Sequence, residues 1–312
     1  LASGSIARTV IDSVAVVVCY VVCALVWSTT WFAIRVCIGE GGYPTFPAAA
    51  IRFTIAALVL GALVWAGLGR PRPRGRRQIA WLATAGAFNG IAYAMVYSAE
   101  DSLPGGMVAV LFGTYSLFTA IGAKLTSTER VRGMDILAAT MSLVGMAVVF
   151  WDRLTVSPDQ AMGVGFALAS VFASVVYNII FKREANDVNP LSSTALMLAV
   201  SALSLWVFSL ARGPVEIPWP PPSAPTAALL YLAILGSVVT FACYFYMLKR
   251  VSLMAASTLV LIQPVLALLV DALFEKQVRL VGRSYLGVAI TFSGVALALG
   301  AKWHSARRAA AR

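Results

Sequence analysis

Three primary amides, Asn89, Asn178 and Gln263, stand in stretches that otherwise read as hydrocarbon, and the third is followed directly by Pro264 in VLIQPVLALL, Val260–Leu269. A carboxamide carries two donors and two acceptor lone pairs, more than a lone apolar helix can satisfy. Proline inside a helix deletes one backbone bond and frees the carbonyl a turn upstream, here near Val260. Unpaired in an apolar medium, such groups cost roughly several kcal/mol each. The chemistry they offer is hydrogen-bonded recognition in a watered space within apolar surroundings, where irregular backbone is tolerated.

Aromatic side chains accompany the amides. Asn89, Tyr93, Tyr97 and Glu100 follow one another at helical spacing and share a face, the signature of a cavity wall. Trp27, Ser28 and Trp31 form a second set, and Ser170, Ser174, Tyr177, Asn178 and Phe181 a third. Tyr115, Thr240 and Tyr244 add further rings and hydroxyls. The expected pocket is therefore Trp27, Trp31, Asn89, Tyr93, Tyr97, Tyr115, Tyr177, Asn178, Tyr244 and Gln263, with Pro264 as a helix break. Two plainer readings compete: Tyr93 and Tyr97 as rings at the membrane surface, and Gln263 as a kink residue bonding to a neighbouring helix. Arg52, Glu100 and Asp271 form a possible gate ion pair, with Arg52 and Asp271 expected toward the outer side, where long side chains reach water. A purely structural pair is the alternative. Gly86 and Gly90, in GAFNG, have the spacing of a close helix contact.

The elements that must position these groups follow from composition. With 60% apolar and 12% charged residues, and a mean hydropathy of +0.85, the chain lies far from a soluble domain. It reads as an all-α polytopic membrane protein. A net charge of +11 does not point to nucleic acid, because the basic residues fall in short gaps between apolar runs. Cys19, Cys23, Cys37 and Cys243 match no metal or redox spacing, and the only histidine, His304, lies in a basic tail; no metal, cofactor or intramembrane catalytic set is expected.

A hydrocarbon core of ~30 Å needs about 20 apolar residues per helix. Cutting at charged, proline-rich and glycine-rich gaps predicts ten spans, near residues 12–36, 46–68, 78–99, 104–125, 132–151, 161–181, 191–211, 226–248, 254–275 and 283–302. The runs are continuously apolar, unlike alternating barrel strands. The first is longer than a signal-peptide core and lacks an A-x-A pattern, so it is expected to remain as a helix. One set of gaps holds Arg70, Arg72, Arg74, Arg76, Arg77, Lys124, Arg130, Arg132, Lys182, Arg183, Lys249 and Arg250, and the other only Arg35, Arg153, Arg212, Lys276, Arg279 and Arg283. The bias places both termini in the cytoplasm.

The two halves match each other. LVWSTTWF (Leu25–Phe32) faces VFASVVYN (Val171–Asn178), Pro44 faces Pro190, DSLPGGMVAVL faces VSLMAASTLVL, and GMAVVF at Gly145 faces GVALAL at Gly294. Two five-helix units, 12–151 and 161–302, precede a basic cytoplasmic tail, 303–312. Because five is odd, the second unit enters the membrane from the opposite side. Inverted repeats are a common construction of secondary transporters, with the substrate site at the midplane between them.

The five-plus-five organisation, the Trp-Ser-x-x-Trp pattern at Trp27–Trp31, Arg52 early in the second span and the gap TSTERVRGMDIL together resemble the EamA branch of the drug/metabolite transporter superfamily, over about residues 12–302. The second copy departs from the family pattern at FEKQV, Phe274–Val278. The aromatic polar faces are most similar to the bacterial amino-acid exporters, including the aromatic amino-acid group. The resemblance implies an inner-membrane exporter of amino acids with neutral and aromatic side chains, working by alternating access. Efflux of drugs or lipophilic cations through the same cavity is the runner-up. Phosphorylated substrates call for several Lys or Arg in the cavity, and only Arg52 is at hand.

Overall fold

The computed structural model describes residues 2–100, 102–103, 105–151, 160–274 and 282–310; the side chains of 1–12, 267–281 and 301–312, and of 105, 106, 109 and 299, lie outside the description. Every regular element among the described residues is helical: α1 (Ala2–Ile38), α2 (Thr45–Trp65), α3 (Arg76–Glu100), α4 (Gly105–Gly113), α5 (Tyr115–Leu125), α6 (Gly133–Val149), α7 (Ala161–Glu184), α8 (Pro190–Ala211), α9 (Ser223–Ala233), α10 (Thr240–Leu248), α11 (Leu253–Phe274) and α12 (Gly282–Ala310). A π-helical turn, Ile234–Val239, joins α9 to α10 without a break.

Sequence explains the boundaries. Pro44 precedes α2, Pro190 opens α8 and Pro222 precedes α9, positions where a missing N–H costs nothing. The Asn189 side chain caps α8 by accepting from the Leu191 amide at 2.9 Å, and Asp135 accepts from the Arg132 amide at 2.9 Å at the start of α6.

Six helical stretches among the described residues are long and apolar enough to cross a membrane: Ser13–Ile38, Thr45–Trp65, Arg76–Glu100, Ala161–Glu184, Pro190–Ala211 and Ser223–Leu248. Shorter apolar helices cover Val110–Leu125, Gly133–Val149 and Leu253–Leu266. The stretch read as one span over 104–125 is divided at Thr114 into α4 and α5. Large apolar side chains such as Val17, Leu58, Leu203 and Val207 face outward, as lipid contact requires.

Direction is fixed by side-chain contacts. The Phe46 ring lies under the Arg212 guanidinium, Thr54 Oγ1 accepts from Trp206 Nε1, and the Gly69 carbonyl accepts from Ser192, so α2 and α8 run antiparallel. Gly145 abuts Gly287 and Thr291 while Gly294 abuts Ala138 and Ser142, which makes α6 and α12 antiparallel as well. α1 runs against α9 and α10: Thr29 and Tyr231 share a hydrogen bond of 2.5 Å, Trp27 Nε1 donates to the Gly236 carbonyl at 3.3 Å, and Cys23 Sγ to the Thr240 carbonyl at 3.4 Å. α3 packs against α7 and, through Gly86 and Gly90, against α8.

One end of this bundle is laced shut between the loops. Gln78 Nε2 donates to the Glu184 carbonyl at 2.9 Å and Asn189 Nδ2 to the Arg70 carbonyl at 3.0 Å. Lys182 Nζ donates to the carbonyls of Leu248 and Val251, both at 2.6 Å, Lys249 Nζ to that of Val188, and Glu129 accepts from the Leu253 amide at 2.7 Å. Burial, together with neighbouring Arg250, lowers the pKa of the Lys249 ammonium against the opposing pull of Asp187.

Gly145 tests the close packing. A Cβ there would lie 2.5 Å from the Thr291 amide nitrogen and 2.8 Å from the Gly287 carbonyl oxygen, backbone atoms that cannot turn aside. Gly145→Leu is expected to destabilise the protein by about 1 to 3 kcal/mol, read as a lower midpoint of thermal unfolding in detergent; an unchanged midpoint means that α6 and α12 do not touch there.

A ring-lined cavity as the candidate functional site

Where α1 to α5, α7, α10 and α11 converge they leave a cavity of about 130 Å³. An apolar cavity of roughly 150 Å³ holds a benzene ring, so this one has the scale of a single aromatic side chain. Its wall is a chain of rings. Trp27 lies 5.2 Å from Tyr244 and 5.7 Å from Phe241, centroid to centroid; Phe53, in the core behind the wall, lies 6.0 Å from Phe241 and 4.6 Å from Tyr93, mostly edge to face. Trp31 meets Phe112 at 6.4 Å across the other side. Such pairs contribute ~0.5 to 1.5 kcal/mol each beyond their burial, and they fix the rings in place.

Nine of the ten residues expected to form a pocket line this cavity: Trp27, Trp31, Tyr93, Tyr97, Tyr115, Tyr177, Asn178, Tyr244 and Gln263. Asn89 does not. On α3 the lining begins at Ala92, and Asn89 lies a turn beneath the floor, where Gly86 and Gly90 bring the α8 backbone close. There it is fully buried and donates to Ser201 Oγ at 2.9 Å, while Ser201 donates to the Gly86 carbonyl at 2.9 Å. The difference is one of depth, which a shared helix face does not report. Phe181 is likewise a core ring, stacked at 3.8 Å on Phe245, and Ser28 bonds the Ala24 carbonyl of its own helix.

Pro264 does not break its helix, as α11 runs through it from Leu253 to Phe274. The carbonyl that it frees belongs to Val260, and Val260, Gln263 and Pro264 all line the cavity. Open space on that side accounts for a proline inside a continuous helix. Asn178 is also at the wall: its Nδ2 donates to the Ser174 carbonyl at 2.8 Å, and its Oδ1 is buried without a partner among the described residues. Ser170 donates to the Ala92 carbonyl at 2.6 Å, tying α7 to α3.

Arg52 corrects the reading of a gate charge that reaches outward to water. It is 2% exposed and turned inward to the cavity. Nε donates to Ser237 Oγ at 2.9 Å and Nη2 to the Gly236 carbonyl at 3.0 Å, both in the π-helical turn, and the guanidinium carbon lies 5.4 Å from the Phe53 ring centre and 5.5 Å from that of Tyr93. Glu100 lines the same cavity. The Asp271 side chain lies outside the described residues.

Sequence reasoning missed the π-helical turn and with it Gly236, Ser237 and the ring of Phe241. The available signal was the Gly-Ser pair inside ILGSVV, small residues that let other groups approach the backbone. Gly236 shows this directly, since a Cβ there would come within 3.0 Å of Thr30 Cγ2 and 3.4 Å of Arg52 Nη2.

The model of the EamA-like transporter family matches residues 15–151 and again residues 161–300, and the chain belongs to that family. It is a multi-pass membrane transporter and not an enzyme. The probable terminal-alkyne amino-acid exporter of Streptantibioticus cattleyicolor is 27% identical over 256 residues, covering 80% of this chain and 82% of that one. The uncharacterized inner membrane transporter YedA of Escherichia coli is 28% identical over 255 residues, 78% of each. A probable amino-acid metabolite efflux pump of the same species is 22% identical over 216 residues, 65% of this chain and 71% of that one. One crystal structure superposes with a TM-score of 0.74 at 23% identity, over 91% of this chain and 96% of that one, and so shares the fold.

The position of Asn89 beneath the cavity separates folding from transport. Asn89→Ala removes one buried hydrogen bond and is expected to lower stability by about 1 kcal/mol while the KM for transport stays unchanged; a raised KM in a folded Asn89→Ala protein places Asn89 at the substrate.

Proposed function

We propose that this EamA-like transporter exports amino acids, aromatic and other neutral ones among them, across the bacterial inner membrane by alternating access around the ring-lined cavity. The observation that carries the reading is the cavity itself: rings, one amide with a free acceptor and one glutamine enclose a space the size of an aromatic side chain, fed by helices from both halves of the chain. Rings stack on an apolar side chain or face an ammonium, at ~0.5 to 2 kcal/mol for a cation over a ring. Relatives whose names include amino-acid exporters support the substrate class.

In this reading the chain crosses the membrane ten times, as two inverted five-helix repeats, 12–151 and 161–302, with both termini and the basic tail 303–312 in the cytoplasm. Support comes from several sides. The family model matches once in each half. Corresponding helices, α2 with α8 and α6 with α12, run antiparallel, as an inverted pair must. Contacts between halves also come in matched sets: α1 packs on α10 as α7 packs on α3, and α1 on α11 as α7 on α5. The laced end carries Arg70, Lys182 and Lys249, so the rule that basic loops stay inside makes it the cytoplasmic end. With that end closed, the cavity opens toward the outside, and release of the lacing lets substrate in from the cytoplasm.

Proteoliposomes test the reading. Preloaded vesicles should take up labelled phenylalanine, threonine or methionine by counterflow above protein-free vesicles; transport of methyl viologen with no amino-acid uptake favours the efflux of lipophilic cations instead. Tyr93→Ala, Tyr97→Ala and Gln263→Ala should each reduce uptake by about tenfold, the loss of one good ring or amide contact, with normal yield and elution in detergent. Normal rates in all three remove these side chains from the path.

A further inference from the structure

We infer that Arg52 is the anchor for the carboxylate of the transported molecule, presented to the cavity by the π-helical turn of the eighth span; this rests on the amino-acid reading above and adds to it which substrate group is held, and by what.

Four observations point there. First, Arg52 is a cation 2% exposed whose hydrogen bonds, among the described residues, go to neutral acceptors, Ser237 Oγ and the Gly236 carbonyl. A charge carried within a membrane protein marks a substrate or ion path by default, because neutral residues fill the same volume at lower cost. Second, those two bonds use Nε and Nη2, whereas a planar guanidinium has five N–H donors in a fork that matches a carboxylate. The turn therefore holds the group from behind while its remaining donors serve the cavity that Arg52 lines. Third, the turn has a geometry suited to this task. Its Gly236 carbonyl accepts from Trp27 Nε1 and from Arg52 together, and Ser237 Oγ, which accepts from Arg52, donates back to the Leu232 carbonyl at 3.0 Å. π-helical turns leave such carbonyls unclaimed and concentrate at functional sites. Fourth, the same cavity contains the complementary pole. Asn178 Oδ1 is a buried acceptor without a partner among the described residues, suited to an ammonium N–H, and Glu100 adds negative charge to the wall.

The charge count sets the ligand class. Arg52 and Glu100 give the wall one charge of each sign, which a zwitterion matches, whereas phosphate esters need two or more cations. Gly236 and Ser237 are positioning residues here, since they act through Arg52.

Counterflow of phenylalanine with competing analogues tests the assignment. Phenylalaninamide lacks the carboxylate, and N-acetylphenylalanine keeps it but lacks the ammonium. In the wild-type protein the amide should compete at least about tenfold more weakly than phenylalanine, the loss expected when a charged hydrogen-bond partner is removed. In Arg52→Gln the two compounds should compete within about threefold of each other, with the KM for phenylalanine raised about tenfold or more; Arg52→Lys should fall between. Arg52→Gln that keeps both the wild-type KM and the preference over the amide overturns the assignment. If Arg52 variants fail to fold, the wild-type competition decides alone: an amide as effective as phenylalanine sinks the anchor and leaves amino-acid export standing. A protein that carries no amino acid at all removes the parent reading and this inference with it.

Discussion

A polar group in the hydrocarbon interior must find its partner inside the protein, and this single requirement explains each irregular feature of the fold. Arg52 is met by a turn that offers a carbonyl and a hydroxyl. Pro264 releases a carbonyl only where the wall opens on the cavity. Asn89 sits where a serine on the adjoining helix receives its donor, while its Oδ1, like that of Asn178, has no partner among the described residues. Elsewhere the helices are regular and pack through small residues. Gly86 and Gly90 against α8, and Gly145 with Gly287 and Gly294 between α6 and α12, let backbones approach so closely that a single methyl would collide.

The same requirement gives the bundle two kinds of contact. α2, α3 and α8 are joined by glycine contacts and by bonds such as Trp206 Nε1 to Thr54 Oγ1 at 3.0 Å, half-buried along the helices. The lacing between the loops differs in kind. Lys182, Lys249, Gln78 and Asn189 each reach a backbone carbonyl of another segment, beside the buried apolar side chains of Val188, Leu248 and Leu253. Lysine and amide side chains at a membrane surface exchange such partners for water at a net cost of about 1 kcal/mol each. That balance suits an end that, in the proposed transport cycle, opens and closes.

Much of this was legible in the chain. Helix positions followed from apolar runs and prolines, and nine of the pocket residues from aromatic and amide types at helical spacing. What the one-dimensional pattern lacks is depth and neighbours. Asn89 and Tyr93 share a face of α3, yet the floor of the cavity passes between them, because the glycines beside Asn89 admit α8 and nothing beside Tyr93 does. Arg52 looked like a charge near a membrane edge that would reach for water. Among the described residues its hydrogen bonds go to a π-helical turn, a local change of helical pitch that hydrophobic periodicity cannot register.

The alignment of the two halves carries one step further. Extending DSLPGGMVAVL (Asp101–Leu111) and VSLMAASTLVL (Val251–Leu261) by three residues places Thr114 opposite Pro264. Thr114 is where α4 gives way to α5, and Pro264 is where α11 loses a backbone bond. Both fourth helices thus depart from plain α-helix at the same point, by different chemistry, and both departures adjoin cavity residues, Phe112 and Tyr115 on one side and Gln263 on the other. Close packing alone would place no premium on weakening the same turn twice. In the proposed transport cycle, where the two halves move against each other around the cavity, a softened turn in each half adjoins the site.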